Sequence, residues 1–164
     1  MVVAESKVTL RSARPDENDF LLCVYASTRL DELSPIPWTQ AQKDAFVRQQ
    51  FQAQDYEYRR NYLHASFDVI EVDGEPAGRL YVNRGSEDIR IIDVVLLPEH
   101  RGRGIGSALL RSLLEEAGEA RKSVSIHVEI HNPARRLYER LGFLPIAKHG
   151  IYLLMEAKPL ARGV

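Results

Sequence analysis

The chain has little of several features that would each place it in a particular class. Its single cysteine, Cys23, excludes an internal disulfide, and its five histidines show no zinc-ligand spacing with it. No run approaches the about 18 apolar residues of a transmembrane helix, and Met1–Lys7 lacks the apolar stretch of a signal peptide. We therefore expect a cytoplasmic protein with no metal site and no membrane partner.

An excess of charge of one sign is also missing. The 22 Lys and Arg residues nearly balance the 23 Asp and Glu residues, and the net charge of −1 offers no basic field to nucleic acid. Apolar residues make up 45% and charged residues 27% of the 164 residues, which is typical of a folded chain rather than a disordered one. A chain of this length buries roughly 70% of its unfolded surface, so we expect one domain over residues 1–164.

Hydrophobic periodicity predicts alternating strands and helices. A strand over Val8–Arg11 precedes two helical stretches that Ser34–Pro37 separates, and Thr39 suits the N-cap of the second. Cys23 falls on an apolar face of the first helix, so we expect it in the core. The later elements are predicted over residues 67–72, 77–82, 89–97, 104–121, 123–130, 133–141, 143–147 and 151–156.

These elements follow one another in the order β-α-α-β-β-β-α-β-α-β-β, which predicts an α/β domain with a mixed sheet. Asp73–Gly74 is a strong hairpin turn between the second and third strands. The long apolar run at 89–97 favours a strand that is buried on both faces.

A glycine-rich segment stands between that strand and the helix after it. Residues Arg101–Ser107 read Arg-Gly-Arg-Gly-Ile-Gly-Ser. The glycines allow positive φ and a close approach of the backbone, while the free N–H groups and the dipole of the helix start attract an anion such as phosphate. A nucleoside-triphosphate loop is excluded because no Lys follows the last glycine, and Ser107 replaces the third glycine of a dinucleotide fingerprint.

Two blocks of the sequence resemble the GNAT superfamily of acyl-CoA transferases. Arg101, Gly104 and Gly106 match its R-x-x-G-x-G/A signature. Residues 124–143 resemble its second block, a strand, an Asn and a helix ending Leu-Tyr-Glu-x-Leu-Gly-Phe. The two blocks cover residues 89–143, whereas the first ~65 residues match only in the order of their elements.

The resemblance implies the GNAT fold, a mixed and mostly antiparallel central sheet flanked by helices. It also implies an N-acetyltransferase that moves an acetyl group from acetyl-CoA to a primary amine by direct attack in a ternary complex. The acceptor is then a small-molecule or peptide amine, and homodimers are common in such folds. A non-catalytic acyl-CoA-binding sensor is the alternative function.

The resemblance further assigns the cofactor contacts. Backbone groups of Val94 and Leu96 lie along the pantetheine arm, where one N–H polarises the thioester carbonyl. Asn132 bonds the pantetheine side, although it lies two residues before Ala134 where many members place it three before, so His131 is an alternative. The full cofactor-binding set is Val94, Leu96, Arg101, Gly102, Arg103, Gly104, Ile105, Gly106, Ser107 and Asn132.

Tyr138 matches the general acid of the family, which protonates the departing sulfur, and its alternative role is to pack the helix against the sheet. The acceptor amine needs a base, for which Asp93 and Glu129 are the candidates. Asp93 interrupts an apolar run, and a structural partner such as an Arg explains this slightly better than catalysis does. His127, His131 or a water chain also remain open as the base.

Overall fold

The computed structural model of the chain describes residues 6–159. Seven strands form a sheet in the order β1-β2-β3-β4-β5-β7-β6, with helices flanking it. The strands are β1 Val8–Ser12, β2 Ser66–Val72, β3 Glu75–Arg84, β4 Asp88–Leu96, β5 Ser123–Glu129, β6 Leu144–His149 and β7 Tyr152–Ala157. The helices are α1 Asn18–Ser27, α2 Leu30–Leu33, α3 Gln40–Asn61, α4 Ile105–Ala120 and α5 Arg135–Arg140, with short 3₁₀ turns at Pro15–Glu17 and Pro98–His100.

The predicted order of elements and the mixed sheet are confirmed. The β1–β2, β5–β7 and β6–β7 pairs are antiparallel, while β4 and β5 are parallel because α4 carries the chain back between them. The one addition is α2, which has four residues and is therefore too short to show a helical period in the sequence. Within residues 6–159, no helix has both the length and the apolar composition that crossing a bilayer requires.

Two compact units share strands β3 and β4. The first holds the described residues up to 80 together with 94–101, and the second holds 81–93 together with 102–159. Each unit has its own buried residues, and each is described separately below.

The core of the first unit forms where α1 and α3 meet the sheet. Tyr25 of α1 and Phe51 of α3 lie with ring centroids 6.0 Å apart. They belong to a buried cluster made of Leu21, Tyr25, Leu33, Val47, Phe51 and Val69. Leu21 and Tyr25 lie four residues apart on α1, and Val47 and Phe51 lie four apart on α3, so the amphipathic pattern explains why both helices pack here.

Thr39 caps α3 as predicted. Its hydroxyl accepts the Gln42 N–H at 3.2 Å, and the Gln42 side chain accepts the Thr39 N–H at 2.9 Å. This reciprocal pair satisfies two N–H groups that the helix itself leaves unbonded. The prediction for Cys23 is wrong, because the cysteine is exposed. The buried positions of α1 are Leu21, Val24 and Tyr25, and Cys23 lies on the opposite side of the helix.

The second unit is built on β5, against which α4 packs. Val124, Ile126 and Val128 alternate on one face of β5 and are buried. The buried positions of α4 recur at helical spacing, and they are Ile105, Leu109, Leu110, Leu113 and Ala117. The apolar stripe of α4 predicted from the sequence therefore does face the sheet.

Burial of β4 on both faces was expected, and along most of the strand this is wrong. Its fully buried residues are Ile89 and Ile91, while residues 92–97 are half-buried. The ladder with β5 pairs Asp88–Ile91 with Ser123–Ile126, which is also the part of β4 that contains the buried residues. The apolar run therefore includes a first part that is buried beside β5 and a second part that is half-buried.

In the first unit, β3 and β4 approach each other closely at Gly78. The Ala77 carbonyl accepts the Leu97 N–H at 2.9 Å. A Cβ atom at Gly78 would lie 2.1 Å from the Val95 oxygen and 3.0 Å from the Leu96 Cα, distances that only a residue without Cβ allows. Gly78 therefore determines the path of β4 at Val95 and Leu96. A glycine inside a strand pattern is the sequence feature that indicates such a contact.

Gly78→Ala should lower the free energy of unfolding by about 1–3 kcal/mol, because the new methyl group collides with a backbone oxygen rather than with a flexible side chain. Urea unfolding followed by circular dichroism measures this. Gly118→Ala is the matched control: it lies in α4 with no atom within 4 Å of a new Cβ, and should raise stability by about 0.5–1 kcal/mol. Equal stability of Gly78→Ala and the wild type would contradict the close approach.

Candidate active site

The start of α4 has the geometry of an anion site. Gly102 and Gly104 have φ of 74° and 79°, and α4 begins at Ile105. Ala108 is bonded to the Gly104 carbonyl at 3.0 Å, so the N–H groups of the preceding turn have no partner within the helix. A Cβ at either glycine would meet no atom within 4 Å. Open space, free N–H groups and the helix dipole together suit a phosphate group.

Gly106 and Ser107 lie within the first turn of α4 and are half-buried. A Cβ at Gly106 would approach a Leu137 methyl group at 3.9 Å, so this glycine faces α5 rather than solvent. Arg103 is exposed beside the loop. The positive φ predicted for this segment is found at two of its three glycines, Gly102 and Gly104.

The side chain of Arg101 bonds two groups of the first unit, to which Arg101 itself belongs. Its Nε donates to the Leu96 carbonyl at 2.9 Å, and its Nη2 donates to the Ser27 hydroxyl at 3.3 Å. The contact with the cofactor pyrophosphate stays a prediction. Ser27, at the C-terminal end of α1, is a partner of Arg101 that the sequence did not indicate, because no local pattern marks it.

Tyr138 is buried in the second unit, with 5% of its surface exposed. Its ring centroid lies 5.9 Å from that of Phe143, and its carbonyl accepts the Phe143 N–H at 3.0 Å. Burial, and next the carboxylate of Asp93, raise the pKa of Tyr138 to about 12. The phenol therefore keeps its proton at neutral pH, which is the form a hydrogen-bond donor or general acid requires. Packing, the alternative role considered for Tyr138, is also observed.

The two candidate bases lie on opposite faces of the sheet. Asp93 shares its face of β4 with Ile91, which is paired with Ile126, and β5 side chains alternate so that Glu129 faces the other way. The structure therefore brings Asp93 close to Tyr138 and places Glu129 on the opposite side. Glu129 is half-buried at the end of β5.

Asn132 is exposed, and its side chain is partly used within the chain. Its Oδ1 accepts the Ala134 N–H at 2.9 Å, and its carbonyl accepts the Arg135 N–H at 3.1 Å. These bonds shape the turn into α5 and leave the side-chain NH₂ group as a donor. The pantetheine contact of Asn132, and the alternative at the exposed His131, stay predictions.

His127 lies on the same face of β5 as Glu129. Its Nδ1 lies 3.2 Å from Nη1 of Arg90. Burial, and then the charges of Arg90 and His149, lower the pKa of His127. The imidazole is therefore neutral at pH 7, and because arginine only donates, Nδ1 accepts in this contact. A neutral imidazole is a proton acceptor, so His127 stays open as a base.

Comparison with known proteins identifies the family. The sequence model of the Acetyltransferase (GNAT) family matches residues 30–143. This is more than half of the chain, and it includes both the glycine-rich segment and the Tyr138 helix. The chain belongs to the GNAT acetyltransferase family.

Two curated relatives are named as N-acetyltransferases. A Bacillus subtilis protein, described as a candidate ribosomal protein bS18-alanine N-acetyltransferase, is 30% identical over 144 residues, covering 86% of this chain and 83% of the relative. An N-alpha-acetyltransferase of Sulfurisphaera tokodaii is 28% identical over 102 residues, which covers 53% of this chain and 60% of that protein. The chain is an N-acetyltransferase with acetyl-CoA as donor and an amine as acceptor.

Solved structures share the fold. PaiA N-acetyltransferase from Thermoplasma acidophilum, in complex with coenzyme A, has a TM-score of 0.69 at 16% identity and covers 93% of this chain and 99% of that one. Ard1 from Thermoplasma volcanium has a TM-score of 0.59 at 22% identity, with coverage of 94% and 99%. The predicted GNAT fold is confirmed by these similarities.

Gly104→Glu should raise the Kd for coenzyme A at least about ten-fold, equivalent to 1.4 kcal/mol, because it places a carboxylate at the helix start where phosphate is expected. Titration calorimetry measures the Kd. Gly74→Glu is the matched control, since Gly74 also has a positive φ, 83°, with no atom within 4 Å of a new Cβ. Both variants carry the same backbone strain, and only the first should lose affinity. Unchanged affinity in Gly104→Glu would show that phosphate binds elsewhere.

Proposed function

We propose that the chain acetylates the α-amino group at the N-terminus of a polypeptide, by direct attack of that amine on acetyl-CoA. Two relatives support this acceptor, one named for the alanine of ribosomal protein bS18 and one for N-alpha-acetylation. An α-amino group has a pKa of about 7.7–8.0, so about a tenth of it is neutral at pH 7, against less than about 0.1% of a lysine side chain. Such an acceptor requires little deprotonation by the enzyme.

The reaction forms one bond and breaks one. The neutral amine attacks the thioester carbonyl carbon, an N–C bond forms, and the C–S bond breaks to release the thiolate of coenzyme A. The amine loses one proton to the base, and the thiolate takes one proton from solvent, so the products are the amide and the thiol of coenzyme A. Backbone N–H groups near Val94 and Leu96 stabilise the negative charge that develops on the carbonyl oxygen. Gly102–Ser107 hold the pyrophosphate through the N–H groups of the helix start.

Tyr138 supports the departure of the thiolate. Its pKa of about 12 lies well above that of a thiol, about 8.5, so complete proton transfer to sulfur is unfavourable. The phenol therefore acts mainly as a hydrogen-bond donor to the developing negative charge. Asp93 has a positioning role, because its carboxylate raises the pKa of Tyr138 and keeps the proton on the phenol. The observation that carries the mechanism is this buried, protonated phenol.

Glu129 is the base proposed for the acceptor. It lies on the face of the sheet opposite to Asp93, and the neighbouring His127, neutral at pH 7, is the alternative base on that face. The Asp93 carboxylate, which helps to keep the proton on Tyr138, is poorly suited to remove a proton from the amine. Asp93 therefore supports the leaving group through Tyr138, and Glu129 receives the proton of the amine.

A panel of acceptors tests the substrate class. Release of thiol should be fast with a peptide that has a free N-terminus and no lysine. It should be at least ten-fold slower with the same peptide when its N-terminus is blocked and one lysine is added, and with a polyamine. The opposite order would contradict an N-terminal acceptor and favour a lysine or a small amine.

Tyr138→Phe should lower kcat about 10²-fold with little change in the Kd for coenzyme A, because it removes one donor to the leaving sulfur. Tyr56→Phe is the matched control, a tyrosine 66% exposed on α3.

The wild-type rate should rise with pH as the acceptor amine loses its proton and then stay level to pH 10, because Tyr138 loses its proton only near 12. A fall in rate centred near pH 10, or full activity of Tyr138→Phe, would exclude the role.

A further inference from the structure

The guanidinium of Arg101 is engaged along one complete edge. Nε and Nη2 lie on the same side of the group, and this side bonds the Leu96 carbonyl at 2.9 Å and the Ser27 hydroxyl at 3.3 Å. This Nε/Nη2 edge is one of the edges with which a guanidinium holds a phosphate or carboxylate by two parallel bonds. Within this chain, Arg101 therefore already uses this edge for Leu96 and Ser27, and its remaining donors are those of Nη1 and the second N–H of Nη2.

The groups that hold Arg101 are themselves well bonded. The Ser27 hydroxyl donates to the Val24 carbonyl at 2.7 Å, which leaves its lone pairs for Arg101. The turn at Pro98–His100 brings Arg101 back beside the end of β4, with the Arg101 N–H bonded to the Pro98 carbonyl at 3.2 Å. The hydrogen bonds of the Arg101 backbone and of its side chain are therefore compatible with a single orientation of the arginine.

The bond from Arg101 completes the fixation of one peptide unit. The peptide between Leu96 and Leu97 has its oxygen bonded to Arg101 and its N–H bonded to the Ala77 carbonyl, both at 2.9 Å. A peptide unit held at both ends restricts the ψ angle of Leu96. Together with φ of Leu96, this angle sets the orientation of the preceding peptide, whose N–H is the Leu96 group proposed to face the thioester.

Arg103 differs from Arg101 although it stands two residues further on. It is exposed, and its side chain makes no hydrogen bond or ion pair within residues 6–159. The two arginines of the segment thus differ: all the donors of the Arg103 guanidinium are open to an anion, whereas the Nε/Nη2 edge of Arg101 is bonded to Leu96 and Ser27.

We propose that Arg101 is a positioning residue that acts through the backbone of Leu96, with Ser27 as its second anchor, and is not a ligand of the cofactor pyrophosphate. The proposal rests on the proposed function, in which the backbone near Leu96 polarises the thioester. Arg101 then links the end of α1 to the end of β4 within the first unit. Its planar fork is essential for this role, because it bonds two acceptors at once, which a lysine ammonium does not reproduce in the same geometry.

The first measurement compares three variants with the wild type, Arg101→Lys, Arg101→Met and Ser27→Ala. Both Arg101 variants should lose about ten-fold in kcat, because both lose the fork, while the Kd for coenzyme A by calorimetry stays within about three-fold. Ser27→Ala should lose about three-fold in kcat. The double variant Ser27→Ala/Arg101→Lys should be no slower than Arg101→Lys alone, because the two residues act through one contact.

Hydrogen–deuterium exchange followed by mass spectrometry provides a readout that does not require activity. Exchange in the segment 94–97 should become about ten-fold faster in Arg101→Lys and remain at the wild-type rate in Arg103→Lys, the matched change. A thermal midpoint close to that of the wild type for all variants separates local positioning from unfolding.

Two results would overturn the proposal. One is an Arg101→Lys variant with normal kcat and normal exchange at 94–97, combined with a raised Kd for coenzyme A in Arg101→Met, which would make Arg101 a phosphate ligand. The other is unchanged exchange in every Arg101 variant. A wild-type protein that transfers acetyl to no amine would contradict the proposed function instead, and the exchange data would still decide the role of Arg101.

Discussion

The close approach of β4 to Gly78 is the contact on which the proposed thioester site depends. Because no side chain separates the two strands there, the backbone at Val95 and Leu96 lies directly against β3, and the next peptide is bonded at both its oxygen and its N–H. A backbone N–H group stabilises a developing charge only when its direction is set before the reaction, since reorientation would consume the benefit. The site is therefore built from main chain that packing and hydrogen bonds hold in place.

The electrostatics of the second unit follow from burial. Tyr138 packs against Phe143 in the interior, and burial there makes the phenolate costly, so the phenol remains protonated. The carboxylate of Asp93 acts in the same direction. The structural and the chemical explanations of Tyr138 are thus compatible, because the packing of α5 also sets the protonation state that the proposed reaction requires.

Much of the fold was predictable because its signals are local. Asp73–Gly74 forms a turn with positive φ at both residues, Thr39 caps α3, and the apolar stripe of α4 faces the sheet. Cys23 was predicted wrongly because apolar residues such as Phe20, Leu22 and Ala26 lie around most of α1, so the pattern does not single out its buried side. The half-buried end of β4 was also missed, since an apolar run does not reveal which neighbours cover it.

The sequence by itself determined the family, the order of the elements and the glycine-rich helix start, because these depend on residues within a few positions of one another. Tertiary structure alone decided which side chains meet. It placed Asp93, and not Glu129, beside Tyr138, and it joined Arg101 to Ser27 across 74 positions of the chain. Contacts of that kind depend on how strands pair and helices dock, and no local pattern of residues encodes the resulting distance between two side chains.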